Sequence, residues 1–281
     1  MNYVRNTLNT PLCYTKHDIS RPQIEKAMKT PSPASLTRHL RWTDAVAHSQ
    51  RRAGRISDQP ALIAVAAVSD QMLTTPTTAL ISIVLNATGR LPMVAVDADG
   101  VNQPLRGPLG AHRGGDLAGL TQLPSWGLQR SQIEPYADHT GATPLLTTAS
   151  PQQLDPEELM TALHRASHRW PVVVVDLPYT CNGELIVAAT SIATHVVLVA
   201  DRYYTDTSWL AQPGHHLSEP AQQGRVSVVR VGAQPSESDP AGMLTLPAAR
   251  AASARDRIHV PTDPAAVIQY NRLVTRLFST R

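Results

Sequence analysis

The feature that most constrains the fold is a series of short, uninterrupted apolar runs after Pro60. ALIAVAAV (Ala61–Val68), MVAVD (Met93–Asp97), PVVVVD (Pro171–Asp176), THVVLVAD (194–201) and RVSVVRV (Arg225–Val231) recur along the chain, with a shorter ATPLLT at Ala142–Thr147. Valine-rich runs of this length, bounded by turn residues, are what parallel strands buried on both faces look like. Helical patterns separate them. TTPTTALISIVLNATG keeps Leu80, Ile81, Val84 and Leu85 at helical spacing and meets a stop signal at Gly89. PEELMTALHRASHRW begins acidic and ends basic, as the helix dipole favours. GELIVAATSIA, a stretch around Thr205–Gln212, and Pro264 to Arg281 supply further helices. Strands alternating with helices predict an α/β fold: a doubly wound, mostly parallel sheet with helices on both faces.

Residues 1–58 have a different texture and are expected to form a flexible basic arm, with the α/β domain spanning 59–281. Pro11, Pro22, Pro31 and Pro33 interrupt polar stretches, and residues 1–60 carry 10 Lys/Arg against 4 Asp/Glu. The remainder carries 15 against 18, so the basic character of the chain belongs to the arm. One short helix is compatible with Ser35 to Ala53, where Leu36, Leu40, Trp42, Ala45 and Val46 are apolar. Such an arm is either a solvated linker or an electrostatic anchor for DNA or an anionic membrane.

Several function classes find no support. The longest strictly apolar stretch is less than half of a bilayer span. The opening MNYVRNTLNTPLCY lacks the apolar core of a secretory signal, and Cys13 with Cys181 cannot form a disulfide framework. A cytoplasmic chain, peripheral to a membrane at most, is expected. His164 and His168 stand four apart on one predicted helix but without the Glu of a zinc-protease motif, so a solvated helix face is expected rather than a metal site. His215 and His216 have no identifiable partner, and no G-x-S-x-G elbow occurs. Cys181 has no neighbouring base in sequence and reads as an idle thiol.

Three fragments carry a resemblance. A strand and polar loop followed by TTALISIVL resembles the opening of the ParA/MinD family of P-loop ATPases. MVAVDADGVNQPL with PLGAHRGGDLAGL is similar to that family's second strand and its sequel. WPVVVVDLP followed by ATSIATHVVLVAD resembles its later strand with a terminal Asp, the next helix and the next strand. Together they span about Pro60 to Leu277. They are also similar to the ParA-like proteins of actinobacteria, some of which accompany type VII secretion systems.

The resemblance implies a phosphate loop of the form Lys-Gly-Gly-x-Gly-Lys-Thr-Thr. Glycines there aim successive backbone N–H groups at phosphate, the second lysine contacts the β/γ-phosphates and the following Thr ligates Mg²⁺. Aligned from TTAL, this chain offers Asp70, Gln71, Met72, Leu73, Thr74, Thr75, Pro76 and Thr77. Asp70 stands for the first lysine, Gln71 and Met72 for glycines, Thr75 for the phosphate lysine and Pro76 for the magnesium-binding Thr. Proline suits the first turn of a helix but removes an N–H that a phosphate site uses. All three lysines (Lys16, Lys26, Lys29) lie in the arm, so no lysine elsewhere in the domain substitutes. Each lost charge-assisted contact costs on the order of 1.5–3 kcal/mol.

Asp97 and Asp99 match the positions where the family places its attacking water and switch residues, and Asp176 matches a Walker B-type Asp that supports magnesium. Their plain reading is as caps of loops at strand ends. Leu177 and Pro178 replace the small residues usual after that Asp and would stiffen the loop. The leading expectation is a pseudo-ATPase without cofactor, acting on a protein partner as a regulatory or scaffolding protein. The alternative is a weak ATPase using ATP and Mg with Asp97, Asp99 and Asp176, in positioning, partitioning or secretion. A third class is a DNA or membrane-surface binder acting through the arm. A homodimer is compatible with each.

Because the first buried strand begins at Ala61, a chain lacking residues 1–58 should retain its far-ultraviolet circular dichroism and a cooperative melt. If the arm is the electrostatic binder, truncation should abolish affinity for DNA or anionic vesicles, and the intact chain's affinity should fall steeply with salt.

Overall fold

A computed structural model describes residues 60–68, 73–88, 91–112, 115–124, 126, 128–232, 243–246, 258 and 264–278. The expected arm at 1–58, its Ser35–Ala53 helix, Asp70, Gln71, Met72 and the stop at Gly89 lie outside them. The order is β1 (Ala61–Ala67), α1 (Thr74–Thr88), β2 (Met93–Asp97), α2 (Arg106–Leu109), α3 (Leu117–Thr121), α4 (Arg130–Ile133), β3 (Leu145–Leu146) and α5 (Pro156–Arg169). It continues with β4 (Val172–Leu177), α6 (Gly183–Ile192), β5 (His195–Ala200), α7 (Ser218–Gln222), β6 (Val226–Val231), β7 (Leu244–Leu246) and α8 (Pro264–Leu277).

The strands form one seven-stranded sheet in the order β3-β2-β4-β1-β5-β6-β7, with every neighbouring pair parallel. Alternation along β1 shows why both faces need cover. Leu62, Ala64 and Ala66 pack with α5 and α6, whereas Ile63 and Val65 pack with α1 and α8. The fold is therefore doubly wound, with helices on both faces of the parallel sheet. From β1 the chain moves toward the β3 edge, and after β4 it crosses to β5 on the opposite side of β1. That reversal leaves a crevice at the carboxyl ends of β1 and β4, the place where open α/β sheets bind ligands.

Local chemistry accounts for the element ends. Asp155 precedes α5 and its Oδ1 accepts from the Glu158 N–H at 2.7 Å, with Pro156 at the first helical position. Three expectations need correction. The helix around Thr205–Gln212 is only a 3₁₀ turn at Ser208–Ala211. Asp206 captures the Ser208 N–H at 2.9 Å, and Pro213 bars continuation. The strand at Ala142–Thr147 contracts to Leu145–Leu146, because Pro144 has no N–H and Leu145 exchanges hydrogen bonds with Asp138 instead. Strand β7 was not anticipated, since three residues of LTL give too short a period to read.

The terminal helix α8 closes the second face. Ala266, Tyr270, Leu273, Val274 and Leu277 are buried and pack with β7 and α1, leaving Ile268 and Arg272 outward. Val267 and Phe278, at the margins of that buried stripe, are half-buried. Among the described residues no helix is long and apolar enough to cross a membrane. Val274→Asp and Leu277→Asp should each lower stability by about 2 kcal/mol or more, read as a shift in the urea midpoint, because each buries an unpaired charge. A membrane-seated helix would instead lose liposome binding and keep its stability.

Candidate functional site

Three of the sequence-selected residues meet at the crevice because the sheet register brings them there. Asp97 ends β2 and is the register partner of Asp176 on β4, and β4 also borders β1, from which the chain turns into α1. Both carboxyl groups are fully buried. Asp97 accepts from the Leu105 N–H at 2.8 Å and the Asp99 N–H at 3.1 Å, holding the loop after β2 against the strand end.

Asp176 is bracketed by hydroxyl groups. Thr75 donates to Oδ2 at 2.6 Å and Thr78 donates to Oδ1 at 2.6 Å. Thr75 and Thr78 are three apart on α1 and so share a face that looks at β4. Thr75, aligned to the phosphate-lysine position, is therefore a hydrogen-bond partner of Asp176. Pro76 is the third residue of α1 and takes the place of an N–H that would be free in any case. Thr77 turns back onto the Leu73 carbonyl at 2.7 Å. Thr74, the first residue of α1, is fully buried, and its Oγ1 has no hydrogen-bond partner among the described residues.

Asp99 plays a separate part. Its carboxylate accepts from the Val101 N–H, the Asn102 N–H and Nδ2, and the Thr180 hydroxyl at 2.5 Å. The last bond ties the loop after β2 to the loop after β4. Gln103 in the same loop has φ +47°, in the left-handed region, and its Nε2 reaches the Thr148 carbonyl at 2.8 Å. These bonds over-determine a backbone conformation that a glutamine rarely adopts. Leu177 and Pro178 are both buried, so the loop after β4 begins from packed residues.

The electrostatics of the three acids follow from burial, from one another and from their hydrogen bonds. Burial, with the Asp176 charge second, pushes the Asp97 carboxyl well above its usual range. Burial pushes Asp176 up to about 6, against the opposing Thr75 and Thr78 hydrogen bonds. Burial also pushes Asp99 upward, but its donors outweigh this and leave it below the usual range. Cys181 lies close by, and burial followed by the charges of Asp176, Asp99 and Asp97 pushes its thiol up, which disfavours the thiolate.

The other sequence candidates do not join this site. His164 and His168 are exposed on α5 with ring centroids 5.0 Å apart, and no group of three metal-ligating side chains occurs among the described residues. His215 and His216 stack on one another beside Trp209. Sequence reasoning missed Thr78, Asn102, Gln103 and Thr180. The run Thr74-Thr75-Pro76-Thr77-Thr78 was a signal for the first, since hydroxyl residues at a helix start below a strand-end Asp can reach it. The others depend on loop paths that have no local pattern.

Neither a family model nor a curated protein sequence matches the chain. Solved structures share its fold. The cell division ATPase MinD of Pyrococcus furiosus aligns with a TM-score of 0.52 at 15% identity, over 78% of this chain and 98% of its own. Cobyrinic acid a,c-diamide synthase of Mycobacterium smegmatis, with bound ATP analogue and magnesium, gives 0.50 at 15% identity over 79% and 97%. A plasmid partition protein of Borrelia burgdorferi bound to AMPPNP gives 0.50 at 10% identity over 79% and 100%. At these identities the likeness is one of fold, and the fold is ParA/MinD-like.

The carboxylate pair has a measurable consequence. Asp176 titrates near 6 in the native state and near 4 when unfolded, so between those values the native state holds more protons. Its contribution to stability is present below the unfolded pKa and is lost as pH rises through 6. Asp176→Asn should therefore gain stability relative to the parent chain as pH goes from 4 to 7, by about 1–3 kcal/mol. His195, held down at about 4 by burial and by Arg276 and Arg225, contributes the opposite slope in both chains and cancels in the difference. Urea titrations of the two chains at several pH values measure it.

Proposed function

We propose that this chain is a ParA/MinD-like pseudo-ATPase, a protein that keeps the fold as a platform for a protein partner and acts in a regulatory or scaffolding role without nucleotide turnover. The observation that carries the reading is the engagement of Asp176 by its own chain. Each of its oxygens accepts a hydroxyl from α1, so the carboxylate that would support magnesium is already held by Thr75 and Thr78. The residues around it fit Mg-ATP poorly. No lysine follows Lys29, Thr75 points its hydroxyl at Asp176 where a lysine would reach phosphate, and Pro76 offers no N–H. Asp70, Gln71 and Met72 in place of lysine and glycines argue the same way from sequence.

A second reading has its own support. The buried hydroxyl of Thr74, unpartnered among the described residues, sits at the start of the 15-residue helix that also supplies Thr75 and Thr78 to Asp176. It favours residual nucleotide binding, with Asp97, Asp99 and Asp176 as the polar groups of a weak ATPase in positioning, partitioning or secretion. The neighbours' printed roles in cell division and plasmid partition are compatible with either reading. The secretion link rests on the resemblance to actinobacterial ParA-like proteins alone.

Calorimetry with Mg-ATP decides between them. The leading reading expects no saturable heat at micromolar concentrations and no rise in melting temperature at millimolar Mg-ATP. A shift of several degrees would establish binding, since a ligand of the native state must raise stability. Thr75→Lys alone should not restore binding, because the glycines are still missing and the substitution also removes a hydrogen bond to Asp176.

A further inference from the structure

The loop that follows β5 is closed by two adjacent histidines. Gly214, at φ +87°, turns the chain after Pro213, and His215 then lies against Trp209 with ring centroids 4.9 Å apart. His216 stacks on His215, with 4.7 Å between centroids and 29° between planes. The Leu217 N–H donates to His215 Nδ1 at 3.2 Å. A backbone N–H can only donate, so this bond requires a neutral His215 that carries its proton on Nε2.

The closed path of the loop runs through the same residue. The Ser218 N–H donates to the His215 carbonyl at 2.9 Å, and the His215 N–H donates to the Gln212 carbonyl at 3.3 Å. The Ser218 hydroxyl donates to that Gln212 carbonyl as well, at 2.6 Å. Upstream, the Gln212 N–H donates to the Trp209 carbonyl at 3.1 Å, and the Trp209 indole N–H donates to the Tyr204 hydroxyl. Tyr204, Trp209 and Leu210 pack on the apolar core, and Leu217 is buried in it.

The charged groups of the loop and of the elements beside it are engaged elsewhere. Asp201 accepts from the Tyr203 N–H, Asp206 accepts from the Ser208 N–H, and Arg202 lies over the Tyr203 ring. On α7, which packs on the 3₁₀ turn, Glu219 accepts from Gln223. Arg225, just before β6, donates to the Gln223 side chain and the Ala193 carbonyl. Among the described residues neither imidazole forms an ion pair with a carboxylate. Burial, followed by the charge of His215, holds His216 below its usual value. A proton taken up here meets no counter-charge, and two stacked cations repel.

We propose that His215 and His216 form a proton-operated latch, which holds the loop from Tyr204 to Leu217 closed while both rings are neutral and releases it when His215 Nδ1 takes up a proton. A protonated Nδ1 is a donor and can no longer accept the Leu217 N–H. The sign follows from His216: the closed loop holds fewer protons than the open one, so closure is favoured at neutral pH and is lost as pH falls below about 6.5. Release uncovers the apolar surface under Trp209 and Leu210 at the carboxyl end of β5, which borders β1 and the crevice. The latch does not depend on whether nucleotide binds.

Hydrogen exchange by mass spectrometry, corrected for the intrinsic effect of pH on exchange, tests this on the intact chain. Between about pH 7.5 and about pH 5 the amides of residues 212–218 should lose at least about tenfold in protection, while those of β4 and β5 keep theirs. His215→Asn offers an acceptor oxygen near the place of Nδ1 and cannot take up a proton, so its loop should stay protected at both pH values. His215→Ala should leave the loop open at both. Should the asparagine variant fold poorly, nuclear magnetic resonance of the His215 ring protons in the parent chain reads the same event, and their titration should coincide with the loss of protection at Leu217. Protection in the parent that persists at the lower pH would overturn the proposal. So would an equal loss in His215→Asn, a loss at a pH where His215 does not titrate, or a loss that extends to β4 and β5, since the whole domain would then be unfolding.

Discussion

The buried carboxylate of Asp176 is the interaction on which the crevice depends. It sits on β4, between β2 and β1, where the connections of the sheet reverse direction. A carboxylate in that position is costly to bury, and its hydrogen-bond partners among the described residues are two neutral hydroxyls. Two threonine hydroxyls from one turn of α1 meet the cost in part, and in doing so they pin the start of α1 to the neighbouring strand. The helix that opens the fold and the strand that follows two crossovers later are locked by the same two bonds.

The neighbouring loops are arranged around that lock. Asp97 faces Asp176 across the β2–β4 register and holds backbone N–H groups of its own loop, so the two acids are kept apart in role although they repel in charge. Asp99 is saturated by four donors and joins the loops after β2 and β4 through Thr180. Each acid is thus engaged by chain groups, which is the common thread of the pseudo-ATPase reading. A site meant to open and close around a ligand would keep such groups available. Here Leu177 and Pro178 add stiffness from below by packing into the core.

Retaining such a pair against its stability cost needs a reason. One is that the hydroxyl–carboxylate lock fixes the register of α1 against the sheet, a specificity that an apolar pair would not impose. The lock is what remains useful in the crevice whichever way nucleotide binding falls.

The sequence by itself determined the layered architecture, because continuous valine-rich runs can be satisfied only between two helical layers, and the runs at β1, β2, β4, β5 and β6 are unambiguous. It also determined which acids end strands, since Asp97 and Asp176 close their apolar runs. It could not determine what those acids touch. The pairing of Asp97 with Asp176 requires β2 and β4 to be neighbours, a consequence of strand order that no local pattern encodes. The Thr75 and Thr78 bonds require α1 to pass over β4, so a residue aligned to a lysine position emerged as a partner of an acid 101 residues away. The short β7 was invisible, because its pairing comes from the sheet edge presented to it and not from its own periodicity, whereas ATPLLT announced β3 but not its contraction to Leu145–Leu146. Local propensity wrote the elements, and long-range hydrogen bonding decided the site.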